Sequence, residues 1–475
     1  MFFYSLNYIC FIIVLFALYW GACKTKNAQN ILLTCASYIF YGLFDWRMCF
    51  LLLFTSIVTY YVGLQTARHE AEPRYKKTLL ACFLIIVISV LGYFKYTNFF
   101  IDTANDVLGL FGNTAQMSTL NIILPVGISF YTFSAISYCM DVYRGKIHAT
   151  KNLFDCLLFV GFFPSILSGP INKGERQLPQ IIKKRVFNGD LILTSAAIFI
   201  LGAFMKLCVA DRLCLYVDAV YGNLYHHHGI TFLIASVLYT IQIYADFAGY
   251  SLMAIGSGGF FGINLEQNFR QPYFSQSITE FWSRWHMSLT GWLKDYLYIP
   301  LGGNRVSKKR WIFNIMAVFI ISGLWHGAAF TFIIWGAIHG IVQVGEKLLY
   351  GDRLRNLNIN APLYLRLIRG FATFSVVSFA WIFFRMPSVE ETFYVISHMF
   401  TNFEAPFLDV EIFVYAGLSL ALMLLIDSYL YKNNNNYFQI INKSPKTIYI
   451  SCIFLLFYIL LMGQFDGDSF IYFQF

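Results

Sequence analysis

The residue whose type and setting best suit catalysis is a histidine in an apolar stretch. His326 lies in the sequence Ser322-Gly-Leu-Trp-His-Gly-Ala-Ala, far from any charged loop. Gly323 and Gly327 stand close to it, so another backbone or a ligand can approach closely. A buried neutral imidazole is the usual general base near neutral pH. This pattern predicts that His326 is a general base, and a histidine that only packs and hydrogen-bonds is the alternative.

The segment 265–305 is polar for this chain and rich in Trp, Arg and His. Five of its residues recur at helical spacing and form one apolar stripe: Phe281, Trp285, Leu289, Trp292 and Tyr296. The segment is either an amphipathic helix at the cytoplasmic interface or a protein-enclosed wall of a reaction chamber, because Arg and His inside a membrane are costly and usually functional. On the second interpretation we expect Arg284, Trp285 and also Trp325 to contact the substrate.

A carboxylate, Asp246, follows an apolar stretch in the sequence Tyr244-Ala-Asp-Phe-Ala-Gly-Tyr-Ser. We place it at the end of a span. An intramembrane carboxylate is a candidate for function by default, and we count Asp246 among the expected substrate-binding residues. A local cap or an ion pair with an Arg is an equally weighted alternative.

A second apolar histidine, His339, follows His326 by thirteen residues. On one unbroken helix the two side chains would point roughly 220° apart, so they could not share a site. We therefore expect a structural role for His339, unless a break in the helix voids this geometry. No metal site is expected, because the chain has no CxxC and the run His226–His228 spreads its side chains in different directions.

The elements that carry these residues must be membrane helices. Of the 475 residues, 58% are hydrophobic and 12% are charged, whereas soluble domains carry about a quarter charged residues. Aromatic residues reach 19%, which suits interfaces belted with rings. Long apolar runs favour helices over a β-barrel, whose strands would alternate polar and apolar residues. The net charge of +9 is scattered over short loops, which argues against a nucleic-acid partner.

Twelve apolar stretches approach the length of a span, so we predict an all-α integral membrane protein with about 10–12 transmembrane helices in one domain, 1–475. The stretches are 7–22, 31–44, 48–66, 79–95, 120–140, 191–209, 231–247, 312–327, 329–346, 371–385, 410–430 and 447–463. Three further segments are short or broken by Gly and Pro, namely 97–112, 153–170 and 251–264. We expect these three to be interfacial or re-entrant.

The lysines and arginines follow the positive-inside rule when the N-terminus is placed outside. All but five of the 34 then fall in seven cytoplasmic loops, 24–26, 68–77, 144–151, 173–185, 270–310, 347–369 and 432–446. The exceptions are Arg47, Lys95, Lys206, Arg212 and Arg385. We therefore expect a multi-pass protein of the cell (inner) membrane, in contact with its lipids.

Ten collinear blocks resemble the membrane-bound O-acyltransferase (MBOAT) family, specifically its bacterial alginate O-acetyltransferase branch. In order they are ASYIFYGLFDWR, LPVGISFYTFSAISYCMDVYRG, FFPSILSGPI, MKLCVADRL, QIYADFAGYS, QNFRQPY, FWSRWHMSLTGWLKDYLYIPLGGNR, LWHGAAFTFIIWGAIHG, WIFFR and FIYFQF. The resemblance covers most of the chain. It implies tilted helices around a central funnel or tunnel, with the acyltransferase core at about 120–345.

By this resemblance the family's histidine maps onto His326 and its second active-site position onto His286. His326 would take the proton of an acceptor hydroxyl as the oxygen attacks a thioester carbonyl, and His286 would orient or polarise the acyl group. The implied donor is a cytoplasmic thioester, acetyl-CoA in the simplest case, with no cofactor besides. The implied acceptor is a cell-surface glycan. An extracytoplasmic hydrolase-like acyltransferase is the implied partner, to which the acyl group is relayed if transfer is not direct.

Three alternatives remain open. Two sequences, DFAGYSL and RWHMSL, also resemble the D-alanyl transfer protein of teichoic acid synthesis, and Leu252 stands where many alginate-type members have Asp. D-alanyl transfer is therefore the alternative acyl chemistry. A glycan or lipid transporter would explain broken segments and midplane polar residues, although the sequence shows no internal repeat. A scaffold for an extracytoplasmic transferase would leave the histidines dispensable.

Overall fold

The computed structural model describes residues 2–112, 117–167, 169–351, 361–401, 404–433, 437 and 445–465. Regular secondary structure within these ranges is helical, which confirms the predicted all-α class. The block FIYFQF and most of the predicted loop 432–446 lie outside the described residues. The helices are α1 (Leu6–Ala22), α2 (Lys26–Gly42), α3 (Met48–Arg68), α4 (Pro73–Leu110), α5 (Ile128–Tyr143), α6 (Leu153–Gly161), α7 (Phe163–Ile166), α8 (Gly174–Ile181), α9 (Gly189–Phe204), α10 (Asp211–Tyr221), α11 (Ile230–Phe260), α12 (Ile278–Trp282), α13 (Met287–Leu293), α14 (Lys308–His326), α15 (Phe330–Tyr350), α16 (Leu363–Arg385), α17 (Val389–His398), α18 (Val410–Lys432) and α19 (Pro445–Met462).

Two helices are extended by turns of the wider π type. Residues Met205–Ala210 join α9 to α10, and Lys294–Tyr298 continue α13. In the described part of the chain, seven helices are long and apolar enough to cross a membrane: α3, α4, α9 continued through α10, α11, α15, α16 and α18. Shorter apolar helices include α1, the α6–α7 pair and α19. The chain is thus a multi-pass membrane protein, and the larger count of about 10–12 spans stays a prediction.

Helix α4 runs without a break over 38 residues, so the prediction of a separate interfacial piece at 97–112 is wrong. Pro73 stands at its start, where the ring is tolerated, and its interior glycines cost only about 1 kcal/mol each. Two asparagines on α4 bind a non-helical segment that follows it. Asn98 exchanges two hydrogen bonds with the backbone of Leu120, and Asn105 does the same with Met117, all at 2.8–2.9 Å.

Helix α5 begins at Ile128, so the predicted span 120–140 is wrong in its first third. Pro125 and Gly127, just before Ile128, explain why the helix begins so late. Gly127 has a φ of 73°, and a Cβ there would lie 2.1 Å from the carbonyl oxygen of Ile166. Because the chain needs a left-handed residue without a side chain at this point, the helix cannot start earlier.

Helix α11 continues through the predicted break, so the separate piece expected at 251–264 is wrong. Gly256 in this segment and Gly249 just before it instead allow α9 to approach α11. A Cβ on Gly249 would lie 2.7 Å from the carbonyl oxygen of Gly202, and one on Gly256 would lie 2.6 Å from that of Ser195. The third segment, 153–170, is broken as predicted, into the short helices α6 and α7, and its interfacial or re-entrant placement stays a prediction.

The chain divides into two compact units, residues 1–191 with 257–266, and residues 192–256 with 267–475. In the first unit a buried carboxylate, Asp155, accepts hydrogen bonds from Asn30 at 2.7 Å and Lys26 at 3.0 Å. The second unit holds every residue for which the sequence predicts a catalytic or substrate-binding role. A single domain over the whole chain stays a prediction.

Helices α14 and α15 form a tight antiparallel hairpin in the second unit. A Cβ on Gly323 would lie 2.2 Å from the carbonyl oxygen of Phe332, and one on Gly336 would lie 2.3 Å from that of Phe319. The two backbones are therefore in contact, which only glycine permits. The chain reverses over residues 327–329, close to the predicted boundary between the spans 312–327 and 329–346.

Candidate active site

His286 stands on a turn between the short helices α12 and α13. Its φ is 41°, in the left-handed region that residues with a Cβ rarely adopt. Backbone hydrogen bonds hold the chain on both sides of it. The N–H of Arg270 donates to the carbonyl of Arg284, and the N–H of Met287 donates to the carbonyl of Asn268, both at 2.9 Å. The turn is thus fixed against the segment that precedes α12.

The imidazole of His286 is fully buried, and its ring centroid lies 4.7 Å from that of Phe247 on α11, edge to face. Neither ring nitrogen has a hydrogen-bond partner among the described residues. Burial lowers the pKa of His286 to about 3, because the charged form would lose its hydration. The ring is therefore neutral at physiological pH. Buried polar atoms without partners are uncommon, so these nitrogens suit a ligand.

His326 is the last residue of α14, and 4% of it is exposed. Aromatic rings surround it. Its ring centroid lies 4.7 Å from that of Trp325, 5.1 Å from that of Trp335 and 5.3 Å from that of Phe384. The hairpin places Trp335 here, because α15 returns directly along α14. His326 therefore lies in an apolar, protein-enclosed position.

The structure brings His286 and His326 together. Their ring centroids are 6.2 Å apart, and the rings are inclined by 52°. Trp325 lies beside both, since its ring centroid is 5.7 Å from that of His286. At this separation one small functional group can reach both imidazoles, so that one accepts a proton while the other contacts a neighbouring atom.

Trp285 and Arg284, which precede His286, have different surroundings. Trp285 is fully buried and stacks on Phe281, with 5.4 Å between ring centroids and 19° between planes. Arg284 forms an ion pair with Glu280 at 3.0 Å. Trp285 is thus part of the wall behind the histidine, and much of the charge of Arg284 is balanced locally. Substrate contacts of Arg284, Trp285 and Trp325 stay predictions.

The predicted apolar stripe does not lie on one helix. Helix α12 ends at Trp282 and α13 begins at Met287, because the left-handed conformation of His286 interrupts the helical path. The prediction of a continuous helix is therefore wrong. All five stripe residues are nevertheless buried, at 9% exposure or less. Their burial favours the protein-enclosed wall over an amphipathic helix on the surface.

Asp246 lies in the middle of α11, a candidate span over Ile230–Phe260, so the prediction that it stands at the end of a span is wrong. Its Oδ1 is 2.8 Å from Nζ of Lys206, which is also 2.7 Å from Oδ1 of Asp211, and each side chain is 2–3% exposed. The pairing partner is thus a Lys rather than an Arg. Sequence reasoning missed this cluster, although the spacing of five between Lys206 and Asp211 suits the π turn that carries them. A substrate contact of Asp246 stays a prediction.

His339 lies closer to the site than an unbroken helix would place it. The chain reverses before α15, so the calculated divergence from His326 does not apply. His339 Nδ1 lies 3.3 Å from Nε1 of Trp282, which donates to it. The ring of Trp335 lies between the two histidines, 5.0 Å from His339 and 5.1 Å from His326 between centroids. The hydrogen bond with Trp282 agrees with a structural role for His339.

A cavity of about 450 Å³ lies alongside α14. Its lining includes Ser322, which is one turn before His326, and Leu289, which is three residues after His286. Lys294 and Lys347 also line it. The cavity comes within one helical turn of both histidines, but the exposure of their side chains is at most 4%.

Comparison with known proteins identifies the family. The sequence model of MBOAT, the membrane-bound O-acyltransferase family, matches residues 11–384. The chain is 40% identical over 379 residues to the probable alginate O-acetylase AlgI of Pseudomonas aeruginosa, which covers 79% of this chain and 70% of that protein. It is 34% identical over 403 residues to the peptidoglycan O-acetyltransferase of Helicobacter pylori, with coverages of 79% and 74%.

A more distant relative is the teichoic acid D-alanyltransferase of Bacillus subtilis, which is 32% identical over 242 residues. That match covers 47% of this chain and 59% of the relative. The family match includes both histidines, the turn at His286 and the α14–α15 hairpin. The chain is therefore an acyltransferase that belongs to the membrane-bound O-acyltransferase family.

Proposed function

We propose that this protein transfers an acetyl group from a cytoplasmic thioester to hydroxyl groups of a glycan outside the cell (inner) membrane. The observation that carries the proposal is the pair of buried imidazoles with ring centroids 6.2 Å apart. Relatives named for acetylation of alginate and of peptidoglycan support a glycan acceptor. They align with 79% of the chain, against 47% for the D-alanyl relative, which favours acetyl over D-alanyl.

The cavity beside α14 supports a donor that enters from the cytoplasm. Lys294 and Lys347 lie in the predicted loops 270–310 and 347–369, which the positive-inside rule assigns to that side. Acetyl-CoA carries phosphates, which lysine binds as a point charge. With its phosphates on these two lysines, the donor would lie along α14 with its thioester towards Ser322. His326 follows one turn later, about 6 Å along the axis.

The reaction needs one base and one group that orients the acyl carbonyl. In the proposed step, His326 takes the proton of the acceptor hydroxyl while its oxygen attacks the thioester carbonyl. A new C–O ester bond forms, the C–S bond breaks, and the proton passes from His326 to the departing thiolate. His286 orients or polarises the acyl group from the other side. The acceptor oxygen belongs to the glycan itself or to an extracytoplasmic partner protein that relays the acetyl group.

The test replaces the base. We expect His326→Ala to lower the formation of ester-linked acetyl groups on envelope glycan by at least about a hundredfold, because general base catalysis contributes about 10²–10⁴-fold. Base-released acyl groups are identified and counted by mass spectrometry, relative to membrane-inserted protein. The matched control is His148→Ala, an exposed loop residue, which is expected to keep wild-type acetylation.

Undiminished acetylation in the inserted His326→Ala protein would remove the catalytic claim. Release of D-alanine instead of acetate from wild-type cells would replace acetyl by D-alanyl as the transferred group. Acetylated partner protein that accumulates without its glycan would identify the relayed route.

A further inference from the structure

Two short segments pair around the histidine turn, residues 268–271 and 284–288. They are joined by the two backbone hydrogen bonds between Arg270 and Arg284 and between Met287 and Asn268. In the described part of the chain, Gln271 and His286 are the non-glycine residues with positive φ, at 42° and 41°. Both lie in this pair of segments. Unfavourable backbone conformations persist only where the surroundings over-determine them, and they cluster at functional sites.

Asn268 makes three hydrogen bonds at this turn and beside it. Its backbone carbonyl accepts from Met287, its side-chain oxygen accepts from the hydroxyl of Ser288 at 2.6 Å, and its Nδ2 donates to the hydroxyl of Ser251 at 2.8 Å. The residue is 1% exposed. An amide side chain offers both an acceptor and a donor, so Asn268 can bond to α13 on one side and to α11 on the other.

The contact with Ser251 links the turn to the wall that packs on His286. Ser251 lies one helical turn after Phe247 on α11, and the ring of Phe247 lies edge-on to the imidazole of His286. Asn268 thus links the backbone beside His286 to α11, the helix that carries Phe247. The ring of Phe247 packs on the imidazole of His286 and restricts its position. Loss of the amide would keep the backbone hydrogen bond of Met287 to residue 268. It would remove the side-chain link that connects Ser288 on α13 to Ser251 on α11.

We propose that Asn268 is a positioning residue, which acts on the reaction only through His286 by holding it in the left-handed turn. The proposal rests on the role of His286 in the proposed function. Positioning predicts a specific kinetic effect, because a small misplacement of a reacting group slows the chemical step and leaves donor binding intact. A residue that merely supports the fold would instead reduce the amount of inserted protein.

The experiment is a double-mutant cycle with Asn268→Ala and His286→Asn. Rates of acetyl ester formation are measured in membrane vesicles with labelled acetyl-CoA, per mole of inserted protein. We expect Asn268→Ala to lower kcat about a hundredfold in the otherwise wild-type chain, with an unchanged KM for acetyl-CoA, and to have little further effect in the His286→Asn chain. The single variants Ser251→Ala and Ser288→Ala, which each remove one bond of Asn268, are expected to reproduce part of the loss in kcat.

The matched control is Asn30→Ala in the first unit, which also removes a fully buried amide with bonds to Asp155 and Ile181. It is expected to lower the yield of inserted protein without changing its rate. An equal loss from Asn268→Ala in both backgrounds, or a KM effect without a kcat effect, would overturn the positioning role. If His286→Asn leaves the rate of the wild type unchanged, the proposed role of His286 fails instead. If His286→Asn has no measurable rate, the two serine variants test the proposal. A partial loss of kcat in Ser251→Ala and Ser288→Ala supports the positioning role, and a wild-type kcat in both overturns it.

Discussion

At the scale of the residue, the two imidazoles differ in what surrounds them. His326 is the last residue of α14, where the negative end of the helix dipole favours a positive ring as it forms. His286 lies at no such helix end, because it precedes α13 in a left-handed turn. The asymmetry suits His326 to accept a proton and His286 to remain neutral. The electrostatics therefore agree with the roles that the family resemblance implies.

The buried, neutral state of His286 has a consequence for stability in acid. Its pKa is about 3 in the folded chain and about 6.5 when unfolded, so between these values the unfolded state binds one more proton. Stability is therefore lost as pH falls below about 6.5, by up to about 1.4 kcal/mol per pH unit. Thermal unfolding in detergent at pH 7.5 and pH 5.5 checks this. We expect the midpoint of the wild type to fall more than that of His286→Asn, which has no titrating ring.

The exposed-loop variant His148→Asn serves as the control, and we expect it to follow the wild type at both pH values. Parallel falls for the wild type and His286→Asn would contradict the neutral, buried imidazole.

The sequence named the two histidines that the structure brings together, but it did not give their geometry. His326 stood out because an imidazole in an apolar stretch is unusual, and resemblance pointed to His286. The break at His286 had no signal, because the stripe from Phe281 to Tyr296 continues the helical period across it. An ion pair of Asp246 was one of the predicted alternatives, but its partner Lys206 was missed because it is distant in sequence. The spacing of apolar residues shows which positions are buried. A buried turn between two helices, such as the one at His286, can keep the same apolar spacing as a continuous helix.

At the scale of the element, the α14–α15 hairpin is what brings Trp335 and His326 together. The sequence predicted its two helices as the separate apolar stretches 312–327 and 329–346, but the direction of His339 was argued from one unbroken helix. It failed at α4 and α11, where glycines lie within continuous helices. A glycine that breaks a helix and one that admits a neighbouring backbone look alike in sequence. In α11 the difference is made by α9, which packs against Gly249 and Gly256, whereas Gly92 and Gly109 of α4 have no atom within 4 Å of an added Cβ.

The hairpin contact can be tested with two glycines of the same helix. A Cβ on Gly336 would lie 2.3 Å from the carbonyl oxygen of Phe319, whereas Gly345 has no atom within 4 Å of an added Cβ. We expect Gly336→Ala to force the helices apart, with a loss of about 1–3 kcal/mol in stability and reduced acetylation. Gly345→Ala is expected to gain up to about 1 kcal/mol from helix propensity and to keep its activity. Thermal unfolding and acetate release measure both, and equal behaviour of the two variants would exclude a tight contact.

At the scale of the whole molecule, the distribution of positive charge predicts which loops face the cytoplasm. We expect Glu70→Cys, in the predicted cytoplasmic loop 68–77, to be protected from a membrane-impermeant maleimide in intact cells and labelled after permeabilisation. Asp45→Cys, in the preceding outer loop, is expected to be labelled in intact cells. Both residues lie between spans that the positive-inside rule orients.

These labelling experiments use a background in which all ten cysteines are replaced and acetylation is retained. The reverse pattern, with Glu70→Cys labelled in intact cells, would invert the topology and place the lysines of the cavity on the wrong side for a cytoplasmic donor.

Two asparagines of α4 fix how far the segment beside the helix is extended. Asn98 and Asn105 are seven residues apart, about 10.5 Å along a helix axis, and they hold Leu120 and Met117, which are only three residues apart. Three residues span at most about 10–11 Å when drawn out fully. The distance between the two asparagines and the span of the segment agree only if the chain between Met117 and Leu120 is nearly fully extended. The segment therefore has a single register on α4, and this register does not accommodate an added or a missing residue.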